Sequence, residues 1–202
     1  MKESFIKLTY QKIWKTRGAR FVAHSNYLKQ NKFSSFTIAV LSSYVIVISL
    51  FFISPTLSSK IKAGDLNLIT LAASLLTLVF SQIESSKDYK LKAEKLHQNA
   101  IDLSDIYNEI QALLFSDDEL NKRYKMAQNI SKRYNSIIKQ CDENHNDYDY
   151  KLFLASNWKE DDIKLTKMDA WLIKFHIGIK IRYYYAIWIF IPLFIFLILI
   201  FI

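Results

Sequence analysis

Two uncharged apolar runs, Phe36–Ile53 and Leu66–Ile83, each of 18 residues, limit what this chain can fold into more than any other feature. As an α-helix each run is about 27 Å long at roughly 1.5 Å per residue. That length is close to the ~30 Å hydrocarbon core of a bilayer. The twelve residues between them, SPTLSSKIKAGD, place Pro55 just past the first run and Gly64-Asp65 just before the second. Proline ends a helix, and aspartate at an N-cap starts one. The pattern predicts a transmembrane helical hairpin over 36–83, and the rest of the chain is assigned by the side of that hairpin on which it falls.

A third uncharged run, Tyr184–Ile202, closes the sequence and predicts a C-terminal transmembrane helix. Only 3 Gly and 2 Pro occur among 202 residues, too few for the turns of a sheet protein, so the fold class expected is an all-α membrane protein. No cleavable secretory signal is expected, because the first apolar run begins late and no small-residue cleavage pattern follows it. The single cysteine, Cys141, excludes an intramolecular disulfide. The four histidines, at positions 24, 97, 145 and 176, lack metal-ligand spacing.

The formal charge of +8 raises nucleic acid as a partner, but its location argues against it. Residues 1–35 hold eight Lys or Arg against Glu3 alone, whereas 84–183 hold 17 basic and 17 acidic residues. Excess charge beside a membrane span serves orientation and lipid contact. No direct nucleic-acid binding is expected. Cations crowd the N-side of the first span, the C-side of the second and the N-side of the third. The positive-inside rule then puts the N-terminus and 84–183 in the cytoplasm of a multi-pass protein of the cell (inner) membrane. Tyr183, Tyr184, Tyr185 and Trp188 fit an interfacial aromatic belt at the start of the third span.

Four regions follow. Residues 1–35 read as a basic amphipathic helix, with Ile6, Tyr10, Ile13, Trp14 and Phe21 at helical spacing. Its apolar stripe suits either the headgroup layer or the protein's own soluble part. Residues 36–83 are the membrane hairpin. Residues 84–183 form a cytoplasmic helical region, and 184–202 the third span. Within 84–183 the second span is expected to continue as one long helix. A seven-residue seam runs through Tyr89, Ala93, Leu96, Ala100, Leu103, Tyr107, Ile110 and Leu114, resembling a coiled coil. Ser116 with Glu119 reads as a capping box opening a second helix that runs to about Cys141 and folds back as a long cytoplasmic hairpin. Residues 142–150, DENHNDYDY, read as a solvated acidic turn rather than an ion site, since they lack the glycine and glutamate of an EF-hand loop. A last amphipathic stretch carries Leu165, Met168, Trp171, Leu172, Phe175 and Ile179 into the third span.

Chemistry is sparse. No phosphate-binding glycine loop, nucleophile elbow or zinc spacing occurs, so neither catalysis nor a cofactor is expected. The informative pattern lies in the second span, where Asn67, Thr70, Ser74, Thr77 and Ser81 recur every three or four residues along an apolar helix. Ala39, Ser42 or Ser43, and Ser49 form a weaker counterpart in the first span. Small hydroxyl residues in lipid either pack helices closely or, in an assembly, line a path that water enters. With no ionisable member the stripe suits a weakly selective leak better than a proton relay. On 118–141, Lys122, Arg123, Lys132 and Arg133 are candidate contacts for an anionic ligand, or simply the wet face of an amphipathic helix.

The segment Lys12–Phe51 carries Ile13, Trp14, Thr16 and Arg20, followed by a first span rich in serine with Ser42, Ser43 and Tyr44. It resembles the opening of the SLATT family, bacterial two-span effector domains encoded beside nucleotide-generating or nucleotide-sensing partners. The resemblance implies a membrane effector of an anti-phage or conflict system. Such an effector is thought to assemble into a homo-oligomer in the lipid bilayer and to form a pore or disrupt the membrane on an upstream signal. The implied partners are a nucleotide-generating enzyme, its nucleotide product, or a reverse transcriptase. The third apolar run departs from a two-span plan. The rival expectations are a passive membrane anchor recruiting a soluble partner through 84–183 and, less well supported without intramembrane charge or repeats, a small transporter.

Overall fold

The computed structural model describes residues 1–51 and 63–201, and every regular element among them is helical. The expected loop Ser54–Asp65, with Pro55, lies for the most part outside the described residues. Helix α1 spans Lys2–Phe51, α2 Ala63–Ser85, α3 Tyr89–Leu114, α4 Leu120–Gln140, α5 Asp147–Ser156 and α6 Lys167–Phe201. Three of the helices are long and apolar enough to cross a membrane. The protein is an all-α membrane protein. Its chain divides into two compact units, one of residues 1–28 with 89–177 and the other of 29–88 with 178–202.

The first unit is built on the seam. Ala93, Leu96, Ala100, Leu103 and Ile110 of α3 are buried, with Tyr89, Tyr107 and Leu114 partly so. Helix α4 returns antiparallel, as the pairs Lys95–Asp142 and Glu109–Arg133 show. It contributes Ala127, Ile130 and Tyr134 to the core. The N-terminal stripe takes the second of its two options and joins this core through Ile6 and Ile13, both fully buried. Each such aliphatic side chain removed from water contributes about 1.5–3 kcal/mol. Tyr10 stacks on Tyr107 with the hydroxyls 2.9 Å apart, and burial raises the Tyr10 phenol to about 12. Trp14 meets Phe153 of α5 edge to face at 4.9 Å, beside Gly18.

The second unit has a small core of Leu41, Phe80 and Tyr185, with Phe33, Ile38, Tyr44 and Trp188 packed around it. Its outer surface is apolar: Leu68, Leu71, Leu75, Leu76, Leu78 and Val79 each expose more than half of their area. In water such a surface is unfavourable by roughly 25 cal/mol per Å². In lipid it matches its solvent.

Five local expectations change. The second span does not run on as one helix. It ends at Ser85, and α3 begins at Tyr89 after a turn in which Asp88 takes φ 49°. The Ser86 hydroxyl donates to the Ile83 carbonyl at 2.8 Å and helps close the turn, so no glycine or proline marks it. Aspartate is among the few residues that enter the left-handed region at modest cost.

Ser116 does not cap α4. Its hydroxyl accepts from the Asp118 backbone N–H at 3.1 Å, forming a local turn, and the helix starts at Leu120 without a side-chain cap. Such side-chain turns compete with helix initiation. The acidic stretch 142–150 is a break only in its first half. Asn146 and Asp149 form a reciprocal capping box that opens α5. Finally, α6 buries Ala170 and Ile177, and leaves Met168, Trp171, Leu172, Phe175 and Ile179 exposed. Helix α2 begins at Ala63, two residues before the expected cap at Asp65.

Candidate functional site

The hydroxyl stripe of the second span sits on one flank of α2. Thr70, Ser74, Thr77 and Ser81 are partly buried, and Asn67, near its start, is exposed. Opposite them α1 presents Ser42, between Ile38 and Val45. Together Ser42, Ser74, Thr77 and Ser81 line a shallow groove of about 380 Å³ within the membrane hairpin. Ser49 lies beyond it, exposed.

Several hydroxyls are satisfied within their own helices. Ser74 donates to the Thr70 carbonyl at 2.8 Å, Thr77 to Ala73 at 2.8 Å and Ser49 to Val45 at 2.8 Å. This back-bonding lets a hydroxyl sit in hydrocarbon without a water partner, and keeps its second lone pair available to a neighbouring helix. The groove therefore has small polar groups on its floor, Ser74 and Thr77 among them satisfied within α2, and apolar walls. Those are the properties of a surface that admits close approach of another helix in lipid.

The four candidate anion contacts are placed separately. Arg123 donates through Nε to the Leu113 carbonyl at 2.9 Å, and its guanidinium also reaches Leu114. It thereby caps the C-terminal carbonyls of α3 with a cation, which the helix dipole favours. Arg133 pairs with Glu109 at 2.6 Å and Lys122 with Asp118 at 2.8 Å. Lys132 is exposed.

Four of the residues behind the family resemblance, Ile13, Trp14, Thr16 and Arg20, make packing or hydrogen-bond contacts within the first unit. Ile13 is buried, Trp14 packs on Phe153, and the Thr16 hydroxyl lies 3.0 Å from that of Tyr134. Arg20, 1% exposed, donates to the Asn99 side chain, and Asn99 in turn donates to the Ile137 carbonyl. Burial pushes the Arg20 guanidinium below its ordinary range. Sequence reading missed this buried polar tie, and it missed Asn26, which donates to the buried Asp149 at 2.7 Å. Lone polar residues on an otherwise apolar face were the available signal.

The whole arrangement, from the Trp14–Thr16–Arg20 series to the third apolar helix, lies within a single family match. Residues 2–198 match the SMODS and SLOG-associating 2TM effector domain family 5. The chain belongs to this SLATT family. Its description names two membrane helices, whereas the described residues of this SLATT chain include three helices of sufficient length and hydropathy, and the match extends into the third. No curated protein and no solved structure matches it.

Proposed function

We propose that this SLATT protein is a membrane effector of a bacterial anti-phage or conflict system, which assembles with copies of itself and perturbs the bilayer when an upstream signal arrives. The observation that supports the reading most directly is the groove between α1 and α2, with Ser42, Ser74, Thr77 and Ser81 along it. A second copy's helix seated there would bury the stripe, and a rearranged assembly would turn the same hydroxyls toward a wetted path. The cation distribution supports a cell (inner) membrane location with the N-terminus and the first unit in the cytoplasm. The signal would come from a nucleotide-generating enzyme, its nucleotide product or a reverse transcriptase.

Induced expression of Ser74→Leu tests the reading. If the stripe lines a path, dye or ion leakage falls several-fold while protein level and cross-linked assembly hold. Loss of assembly with no separate effect on leakage assigns the stripe to packing. The anchor reading is favoured by one observation, the intrahelical satisfaction of Ser74 and Thr77, which leaves both at ease without water. An anchor leaves the membrane tight when the wild-type chain is expressed.

A further inference from the structure

A carboxylate of the second unit is buried among hydrogen-bond donors. Glu84, in the last turn of α2, is 3% exposed, and its side chain is fully buried. Donors from three directions converge on it. Tyr185 of α6, itself 3% exposed, donates to Oε2 at 3.0 Å, and Tyr184 reaches Oε1 at 3.3 Å. The Ser34 hydroxyl of α1 bonds it as well. Lys87, one turn on, forms an ion pair with Oε1 and lies 5.0 Å over the Tyr184 ring.

Around this centre the contacts are aromatic. Phe33 stacks on Tyr185 at 5.9 Å, and Phe80 meets Trp188 at 4.6 Å. Of the residues expected in an interfacial aromatic belt, Tyr185 is buried, Trp188 packs against the same core, and Tyr183 remains at the surface. Desolvating a buried carboxylate is unfavourable, and only donors held in place offset that cost. The bonds to Glu84 are therefore cooperative: removing one donor weakens the case for burying the group at all. Apolar contact alone would hold α6 to the hairpin with no such threshold.

We propose that Glu84 is an autoinhibitory latch, which holds the base of the third membrane helix, through Tyr185 and Tyr184, against the α1–α2 hairpin and whose release frees that helix. Two further features fit a releasable contact. Lys87 keeps about a third of its side chain exposed, so the counter-charge stays within reach of competing anions such as phosphate headgroups. The turn that follows, with Asp88 at φ 49°, leaves four residues of chain between Glu84 and the start of α3.

The functional consequence rests on the membrane-perturbing reading, and the structural one does not. The test uses the full chain in liposomes, with Cys141→Ser, Leu78→Cys and Phe190→Cys for spin labels on the exposed faces of α2 and α6. Glu84→Gln removes the charge at constant size, and Tyr185→Phe removes one hydroxyl and keeps the ring. In both, the 78–190 distance distribution is expected to broaden towards longer separations, and dye leakage to rise roughly tenfold, the population shift that loss of a charged hydrogen bond produces. A longer distance with unchanged leakage upholds the latch and removes the membrane-perturbing reading. An unchanged distance distribution in Tyr185→Phe overturns the latch, whatever becomes of Glu84→Gln.

Discussion

Gly18 illustrates how one residue decides a packing arrangement. A Cβ built there overlaps the ring of Phe153, which is buried and meets Trp14, one turn before Gly18 on α1, edge to face. Gly18→Ala gains up to ~1 kcal/mol of helix propensity, and forcing the ring aside costs about 1–3 kcal/mol. The clash wins, so the variant is expected to unfold at a lower temperature than wild type. Phe153→Leu added to it should restore part of the loss. A Gly18→Ala chain with an unchanged melting temperature would refute the contact.

His145 belongs to the same scale. Burial, and secondarily the charge of Arg20, holds its imidazole below the ordinary value of 6.5, against the opposing pull of Asp149 and Asp147. The folded state therefore binds this proton more weakly than the unfolded chain does. Stability is complete above pH 6.5 and erodes as the pH falls from there towards the lower folded value. Thermal unfolding of the detergent-solubilised protein should show a melting temperature lower at pH 5.5 than at 7.5. His145→Gln should flatten that dependence, and a flat wild-type profile would rule the effect out.

At the scale of elements, helix existence was legible and helix limits were not. The heptad spacing of α3 identified its buried face correctly, because the burial of Ala93, Leu96, Ala100 and Leu103 follows from periodicity alone. The end of α2 escaped notice because a serine hydroxyl and an aspartate in the left-handed region replace the usual glycine. The start of α4 was set three residues early because Ser116 spends its hydroxyl on a turn. For α6 the apolar residues were seen, but their direction was not. Which face of an amphipathic helix turns inward depends on the neighbour it meets, and here Ala170 and Ile177 are buried while Trp171 and Phe175 are exposed.

For the molecule as a whole, the solvent is the controlling variable. The apolar windows of the second and third candidate spans have only 11% of their residues buried, so these helices cannot be a water-soluble core. Extraction of cell membranes is expected to leave the chain in the membrane fraction after a high-salt or alkaline wash and to release it only with detergent. Recovery as a compact monomer in buffer without detergent would contradict the membrane assignment. Belonging to the SLATT family adds the effector class to this picture and does not alter its physics.

The amino-acid order by itself determined that the chain is helical, that three segments seek lipid, and which residues of α3 turn inward. These are properties of run length and repeat, readable from neighbours along the chain. Only the tertiary structure decided that Arg20 would meet Asn99, that Asn26 would meet Asp149 and that Tyr185 would meet Glu84, across 79, 123 and 101 residues of sequence. A buried polar group takes whichever partner the fold brings within about 3 Å, and separation along the chain carries no trace of that distance.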